Sequence, residues 1–585
     1  MTRTLYNPPP DTAGNFDRHA TLVGALAMNE PTTVSDSSRP VTGAAVTREE
    51  FKVIAASSIG GVFEWFDFFL YGSLAVVISR HFFAAVSETT AFTLALLTFA
   101  AGFAVRPFGA IVFGHLGDLW GRKNTFTATL LLMGAATFGV GLLPTYAQVG
   151  AAAPWILVAL RMLQGLSVGG VYGGAAIYVA EHSPQHRRGF YTSWIQTTAT
   201  VGMALSLTVI FGTRSIVGEE VFNAWGWRIP FLMSACLLGI TLWIQLRLNE
   251  SPVYLRMKSS GKSSQRPLRD AFGNWQNIRV ILIALCGAII GQAVIWYASQ
   301  FYTLFFLERV LKVDGAVSNL LMAAALVIST PLYVLFGWLS DRVGRKPVMM
   351  TACLLAALTY FPLFHALTSA ANPALASAVA TAPVTVYADP EDCSFQFDVL
   401  GNKSFKTSCD IPRSFLAKAG VTYDPVNAPA GTVAELRIGS VVLASFRGDE
   451  LTTAELKTRR TAWEKQALSL LSVAGYPPKA DTARINIPLV LLILVGLMSL
   501  ASMVYGPMAA LLVELFPAHI RYTSLSLPYH IGTGWFGGFL PYTAFAIVAA
   551  TGNIYSGLWY PVGFSLFTLL AGLLILPQTH TRDIH

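Results

Sequence analysis

Long apolar runs fill most of the chain and are cut at intervals by short charged or Pro/Gly-rich breaks. Six runs lie at 54–79, 92–116, 124–144, 154–181, 189–212 and 228–247, and six more at 279–307, 317–338, 347–369, 486–515, 522–549 and 557–576. Each is long enough to cross a hydrocarbon core of about 30 Å as a helix. Inside such a core the backbone must satisfy its own hydrogen bonds, so the runs predict an all-α membrane protein with twelve transmembrane helices.

Two motifs occur twice. Gly114-x-x-x-Asp118-x-x-Gly121-Arg122-Lys123 returns as Gly337-x-x-x-Asp341-Arg342-x-Gly344-Arg345-Lys346, an offset of 223. Glu181-x-x-Pro184-x-His186-x-Arg188 returns as Glu514-x-x-Pro517-x-His519-x-Arg521, an offset of 333. The halves are therefore repeats, and the growth of 110 in offset predicts an insertion between the two motifs of the second half. Residues 373–484 fit it, being polar, with 12 basic and 12 acidic side chains. Short runs at Val384–Tyr387, Ser394–Val399 and Glu435–Ser445 predict strands, and Ala454–Leu471 predicts a helix. A small α+β module is expected between the ninth and tenth helices.

The resulting organisation has a disordered cytoplasmic tail at 1–49 and a first six-helix unit at 50–248. A cytoplasmic linker follows at 249–278, then helices seven to nine at 279–372, the insertion at 373–484, and helices ten to twelve with a short tail at 485–585. The tail is Pro/Ser/Thr-rich and lacks the apolar segment of a secretion signal.

Only 12% of the 585 residues are charged and 54% are hydrophobic, a composition that cannot coat a soluble protein. The net charge of +8 does not point to nucleic acid. Basic residues gather in short loops, seven of them between Arg247 and Arg279, as expected for loops held on the cytoplasmic side of an inner membrane. This places both termini inside and the charge-balanced insertion outside. Cys393 and Cys409 would then face an oxidising compartment, where a disulfide closing their separation of 16 is worth about 3 kcal/mol; the alternative is two unpaired thiols. Cys236, Cys286 and Cys353 lie within spans and read as small core residues. No metal-ligand spacing, nucleophilic triad or phosphate loop occurs, so neither an enzyme nor a bound metal or cofactor is expected. The run Gly165–Gly174 lies inside an apolar span without Gly-Lys-Ser/Thr and reads as close helix packing.

Charged groups inside the spans carry the candidate chemistry. Glu64 and Asp67 lie about ten residues into the first run, near mid-depth at roughly 1.5 Å per residue. Their i, i+3 spacing places both on one face, which Tyr71 continues. A charge at the bilayer centre costs at least about 2.5–3.5 kcal/mol, so each acid needs a cation or a proton. Arg106 and Arg161 are the intramembrane cations available. A carboxylate that exchanges an arginine for a proton meets the requirement of proton coupling; the alternative is a permanent ion pair, with Asp67 a structural partner of Arg106. In the second half Gln292, Trp296 and Gln300 recur every four residues and share a face, while Tyr297 and Tyr302 are nearby. With Arg106 and Tyr71 they form the candidate substrate site, to which Gln164, Tyr172, Tyr178 and Gln196 are weaker additions; the alternative for the Trp and Tyr residues is an interfacial belt or helix contacts. The Asp118 and Asp341 loops each offer a carboxylate to a helix N-terminus or a nearby arginine, a pairing that two conformations can make and break.

The paired loop motif, the twelve spans and the central loop together resemble the major facilitator superfamily over essentially the whole chain except the tail and insertion. The stretch Ile59–Gly72 (IGGVFEWFDFFLYG), Arg106-Pro107-Phe108-Gly109, Arg161-Met162-Leu163-Gln164-Gly165, Trp227–Phe231 (WRIPF) and Glu250-Ser251-Pro252 are similar to its metabolite:proton symporter family, carriers of citrate, oxoglutarate, shikimate and proline betaine. The resemblance implies two pseudo-symmetric six-helix bundles rocking around a midplane site. It also implies a proton-transfer role for the arginine of Arg-x-x-Gln-Gly, here Arg161. Two positions depart from the family pattern: Val171, where Glu is common, and Leu119, where Arg is usual, so that gating would lean on Arg122 and Lys123.

The combined reading is a proton-coupled symporter importing a small organic acid or zwitterion by alternating access. Glu64, Asp67, Arg106 and Arg161 would handle the proton, and the chain would work as a monomer. Proton-coupled efflux, or a sensor that uses the insertion, are the alternatives.

Overall fold

Twelve helices long and apolar enough to cross a membrane run through the computed structural model, which describes residues 48–584 apart from 87, 247–249, 262–263, 395–405 and 450. The first half contributes α1 (Ser58–Phe82), α2 (Leu97–Trp120), α3 (Arg122–Leu142), α4 (Ala152–His182), α5 (Gln185–Val217) and α6 (Arg228–Leu246). The second begins with α7 (Trp275–Val310), α8 (Gly315–Val343) and α9 (Arg345–Ala371). After an insertion carrying α10 (Pro373–Thr381), α11 (Asp410–Ala419) and α12 (Thr453–Val473), it ends with α13 (Ile487–Leu515), α14 (Ala518–Val548) and α15 (Ser556–Ile575). Except for 48 and 49, the tail expected at 1–49 lies outside the described residues.

Small residues set the helix spacing. A Cβ on Gly165 would lie 2.0 Å from the Gly102 carbonyl oxygen, and one on Gly109 1.8 Å from that of Leu166. The glycine-rich run of α4 is thus the surface on which α2 lies backbone to backbone, the close approach that association in lipid exploits. The two halves meet along α2 with α14 and along α5 with α8, positions that the repeat makes equivalent. Departures from α-helical geometry concentrate in the second half: α7 contains wider π turns at Leu285–Ile289, Ala298–Tyr302 and Phe306–Val310, and α14 one at Gly532–Gly537. Such turns often accompany functional sites because they re-aim side chains.

In the insertion, β1 (Val384–Ala388), β2 (Asp424–Asn427), β3 (Glu435–Ile438) and β4 (Val441–Ala444) form one sheet in the order β2-β1-β3-β4. β1 runs parallel to β2 and antiparallel to β3. The single strand expected over Glu435–Ser445 is instead a hairpin. Gly439 adopts φ 55° at its turn, and Ile438 faces Val441 across a two-residue loop, the tight connection that favours glycine. The strand expected at Ser394–Val399 lies, after its first residue, outside the described residues. β2 and α11 were not anticipated from the pattern. Trp463 on α12 packs edge-on against Phe415 of α11 and donates its indole N–H to the Ala444 carbonyl (2.8 Å). Asp389 accepts from the Gly431 and Glu391 amides, which hold its carboxyl below the usual range.

The module is fastened to the second half. The Tyr423 amide donates to the Gly552 carbonyl (2.9 Å) and the Ala480 amide to that of Lys312 (3.0 Å). Arg413 donates to the Ala550 carbonyl and to the Tyr423 hydroxyl (3.0 Å). The module therefore grips the α7–α8 and α14–α15 connections. Cys393 and Cys409 are joined with their Cα atoms 5.1 Å apart, flanked by Ser394 to Asp410 and Ser408 to Asp392 hydrogen bonds.

Alkylation of denatured, unreduced protein should label three cysteines, Cys236, Cys286 and Cys353, and all five after reduction. Five labels without reduction would remove the bridge.

Candidate functional site

Between the halves, about midway along the helices, lies a cavity to which both contribute. The first half supplies Glu64 and Trp65 from α1, Arg106 from α2, Tyr172 from α4 and Gln196 from α5. The second supplies Gln292 and Trp296 from α7, Tyr505 from α13, and Tyr529 and His530 from α14. Arg106 is the cation acting on Glu64 and also lies 4.2 Å from the Phe103 ring centroid. Pro107 follows it within α2 and has no amide hydrogen, which interrupts the helix ladder one turn back, at Phe103.

The aromatic wall is held by its own contacts. Tyr172 and Tyr529 stack at 3.8 Å between centroids, and Trp65 lies 5.3 Å from Trp296 across the two halves. The Tyr505 and Tyr529 hydroxyls are hydrogen-bonded at 2.7 Å, and Gln196 donates to the Tyr172 hydroxyl (3.3 Å). Water-accessible space is about 40 Å³, room for a few waters and too little for a metabolite. The conformation is contracted around the site.

Asp67 points elsewhere. One helical turn beyond Glu64, it is buried inside the first half, with Arg161 at 3.2 Å. It also accepts from Thr137 (2.9 Å) and Gln164 (2.9 Å). The Arg161 guanidinium covers the Tyr71 ring at 3.8 Å, and the Tyr71 hydroxyl donates to the Ala95 carbonyl (3.0 Å). The shared face expected for Glu64, Asp67 and Tyr71 is therefore split. Positions i and i+3 differ by about 60° around a helix, enough for one acid to face the cavity and the other α4. The partner of Asp67 is Arg161, not Arg106.

Three candidate substrate residues move for the same kind of reason. Tyr71 and Gln164 belong to the Asp67 cluster. Gln300 falls in the π turn at Ala298–Tyr302, whose extra width rotates it off the face of Gln292 and Trp296, and it does not line the cavity. Arg106, Tyr172, Gln292 and Trp296 do line it, as do Gln196 and Tyr297, whereas Tyr178 and Tyr302 do not. Sequence reasoning missed His530, Tyr529 and Tyr505. A histidine inside an apolar span was the available signal for the first, since ionisable groups are rare there.

The duplicated motifs close one end of the molecule. Asp118 accepts from the Tyr522 and Thr523 amides (3.2 and 2.9 Å) and the Thr523 hydroxyl (2.8 Å), capping a helix of the other half, while Arg122 holds it at 2.5 Å. Asp341 does the same in reverse, accepting from the Gly189 and Phe190 amides (both 2.8 Å) with Arg345 at 2.6 Å. The second motif pair is exchanged between halves: Arg188 reaches Glu514 (3.1 Å) and Arg521 reaches Glu181 (2.5 Å). Gly121 and Gly344 turn the chain with φ 105° and 98°, which favour glycine. Gly114 and Gly337 admit the partner backbone: a Cβ on either would come within 3 Å of the Thr523 Cα or the Gly189 carbonyl oxygen respectively. Lys123 and Lys346 reach helix-end carbonyls of Leu246 and Leu576. Arg342 is exposed and lies over Trp338 at 3.9 Å, so its equivalent, Leu119, forgoes only a surface contact.

Removing the charge of Asp67 leaves Arg161 buried without its counter-charge, at a cost of about 3–5 kcal/mol. Asp67→Asn should lower the thermal unfolding midpoint in detergent, and adding Arg161→Gln should restore part of the loss. A single variant as stable as the parent would show that the pair does not hold α1 to α4.

Comparison with known proteins agrees with this architecture. A family model described as "Sugar (and other) transporter" matches residues 53–276. A proline/betaine transporter of Salmonella typhimurium is 36% identical over 318 residues, 52% of this chain and 63% of that protein, so the match spans less than two thirds of the relative. A shikimate transporter of Escherichia coli is 34% identical over 337 residues, 57% of this chain and 76% of that one. The solved structure of the proton:xylose symporter XylE superposes with a TM-score of 0.59 at 17% identity, covering 92% of this chain and 98% of that one, a likeness of fold. With its paired loops and first-span signature, the chain belongs to the major facilitator superfamily, in the metabolite:proton symporter family.

Proposed function

We propose that the protein is a proton-coupled secondary transporter that imports a small organic acid or zwitterion across the inner membrane by alternating access. The observation that carries this reading is the position of Glu64 and Arg106 on the wall of a cavity shared by both halves. A guanidinium binds a carboxylate through a planar fork of donors. When a substrate carboxylate takes Arg106, Glu64 loses its counter-charge in a poorly hydrated site, and a proton replaces it. Substrate and proton therefore load together. Once the halves rock and the site meets the opposite solution, loss of the proton returns Arg106 to Glu64 and releases the substrate. Asp67 and Arg161 remain paired beneath, holding α1 against α4.

The motif loops, with the basic linker, would face the cytoplasm and form the inner gate; the insertion would face outward. Opening the inner gate requires the Asp118 and Asp341 caps to separate from their helices. Arg122 and Arg345, each four residues further on, keep the two carboxylates paired through that step. The transporter names borne by relatives, proline/betaine and shikimate, support a carboxylate-bearing substrate.

Membrane vesicles carrying the protein should accumulate at least one of labelled citrate, oxoglutarate, shikimate, proline or glycine betaine under an inward proton gradient, and an uncoupler should abolish the accumulation. Glu64→Gln should lower accumulation at least tenfold yet retain exchange of labelled for unlabelled substrate. Accumulation undiminished in Glu64→Gln but lost in Asp67→Asn would move the proton to Asp67. Gradient-driven loss of substrate from the vesicles would make the protein an exporter.

A further inference from the structure

Resting on the reading of this cavity as the substrate site, we propose that His530 and Gln292 make it selective for carboxylates that also carry a hydroxyl or N–H group, against those whose only polar group is the carboxylate or whose nitrogen is fully methylated.

His530 is 1% exposed and Gln292 2% exposed, and both line the cavity. Neither His530 ring nitrogen makes a hydrogen bond, and the Gln292 Oε1 atom has none either. The Gly169 carbonyl of α4 approaches the imidazole, and Arg106 of α2 is the charge that faces it. On the Arg106 side of the cavity the guanidinium Nε is likewise without a partner. Buried polar atoms are nearly always satisfied, because each one left bare costs folding free energy. Unpaired groups on both halves of one cavity therefore point to a ligand that joins them.

Their chemistry defines that ligand. Arg106 offers only donors and selects an anion. Gln292 Oε1 is an acceptor and calls for a hydrogen on the ligand. A neutral imidazole presents one donor and one acceptor, so it too gains from a ligand hydroxyl or N–H. A permethylated ammonium has no such hydrogen and would leave both groups unpaired. Nor is there a slot for one between the closest rings, because Tyr172 and Tyr529 are stacked on each other at 3.8 Å. A site built around hydrogen bonds to a ligand hydrogen rejects analogues lacking it far more strongly than an apolar pocket would.

Binding of four labelled probes to the purified full-length protein in detergent, with no proton gradient, tests this. L-Proline carries a carboxylate and N–H hydrogens, shikimate a carboxylate and hydroxyls; glycine betaine and benzoate carry neither kind of donor. At least one of the first two should bind roughly 10- to 100-fold more tightly than both of the others. His530→Leu should reduce that preference at least tenfold, and His530→Asn, which keeps a donor and an acceptor, should recover part of it. Gln292→Leu gives an independent second reading should His530→Leu fail to fold. Betaine or benzoate bound as tightly as the best probe, a preference untouched in His530→Leu and Gln292→Leu, or no binding of any probe would overturn the proposal. A preserved preference in a protein that accumulates nothing under a gradient would instead count against transport alone.

Discussion

A carboxylate surrounded by hydrocarbon stays ionised only beside a fixed positive charge, and this chain places two carboxylates one helical turn apart in its first span. Asp67 is paired directly with Arg161, whereas Glu64 has Arg106 only as the cation acting on it across the cavity. Asp67 and Arg161 are enclosed by α1, α3 and α4, with Thr137 and Gln164 taking up further hydrogen bonds. Every member of that cluster belongs to the first half. Glu64 and Arg106 border the space between the halves, where another anion has access to the arginine. Burial thus fixes Asp67 to Arg161 and leaves Arg106 accessible beside Glu64, although each set is a carboxylate with a guanidinium.

The end closed by the repeated loops follows a related logic. Helices in lipid gain no hydrophobic stabilisation by leaving lipid for one another, so a contact that must open is better built from polar bonds with alternative partners than from a large apolar interface. Asp118 and Asp341 each cap a helix of the opposite half and hold an arginine of their own loop. Each carboxylate thus has an arginine of its own loop besides the helix it caps. The exchanged pairs of Arg188 with Glu514 and Arg521 with Glu181 add direct charge contacts across the same seam. Repetition of sequence has therefore become reciprocity of contact.

The elements that long-range pattern controls were legible before any coordinates. Spans, repeats and the place of the insertion all follow from apolar run length and motif offset, because the hydrocarbon thickness and the backbone's need for internal hydrogen bonds leave one solution. Arg106, Gln292 and Trp296 were found at the site because a charge or a helical spacing marked them. Legibility fell where local geometry departs from a regular helix: the π turn at Ala298–Tyr302 carries Gln300 away from a face it shares on paper. It also fell where one turn separates two fates, as for Glu64 and Asp67, since spacing gives relative angle but not which neighbour each direction meets. Tyr505 and Tyr529 carry no signal beyond being aromatic, and their place in the cavity comes from packing alone. The β2 strand and α11 escaped because each is short and takes its partner from a distant part of the module.

The insertion adds an asymmetry to an otherwise repeated molecule. Its anchoring bonds run to the α7–α8 and α14–α15 connections, at the ends of the two helices that carry Gln292, Trp296 and His530. Those helices contain the π turns, whose wider hydrogen-bond ladder is less regular than that of an α-helix. One folded module therefore links the ends of both helices. Among the described residues the first half has no such module; α2 and α4 meet there through a glycine-lined contact, and α1 and α4 through the buried Asp67–Arg161 pair. Each half is thus held by contacts of its own, and the seam between them is where Arg106 faces His530.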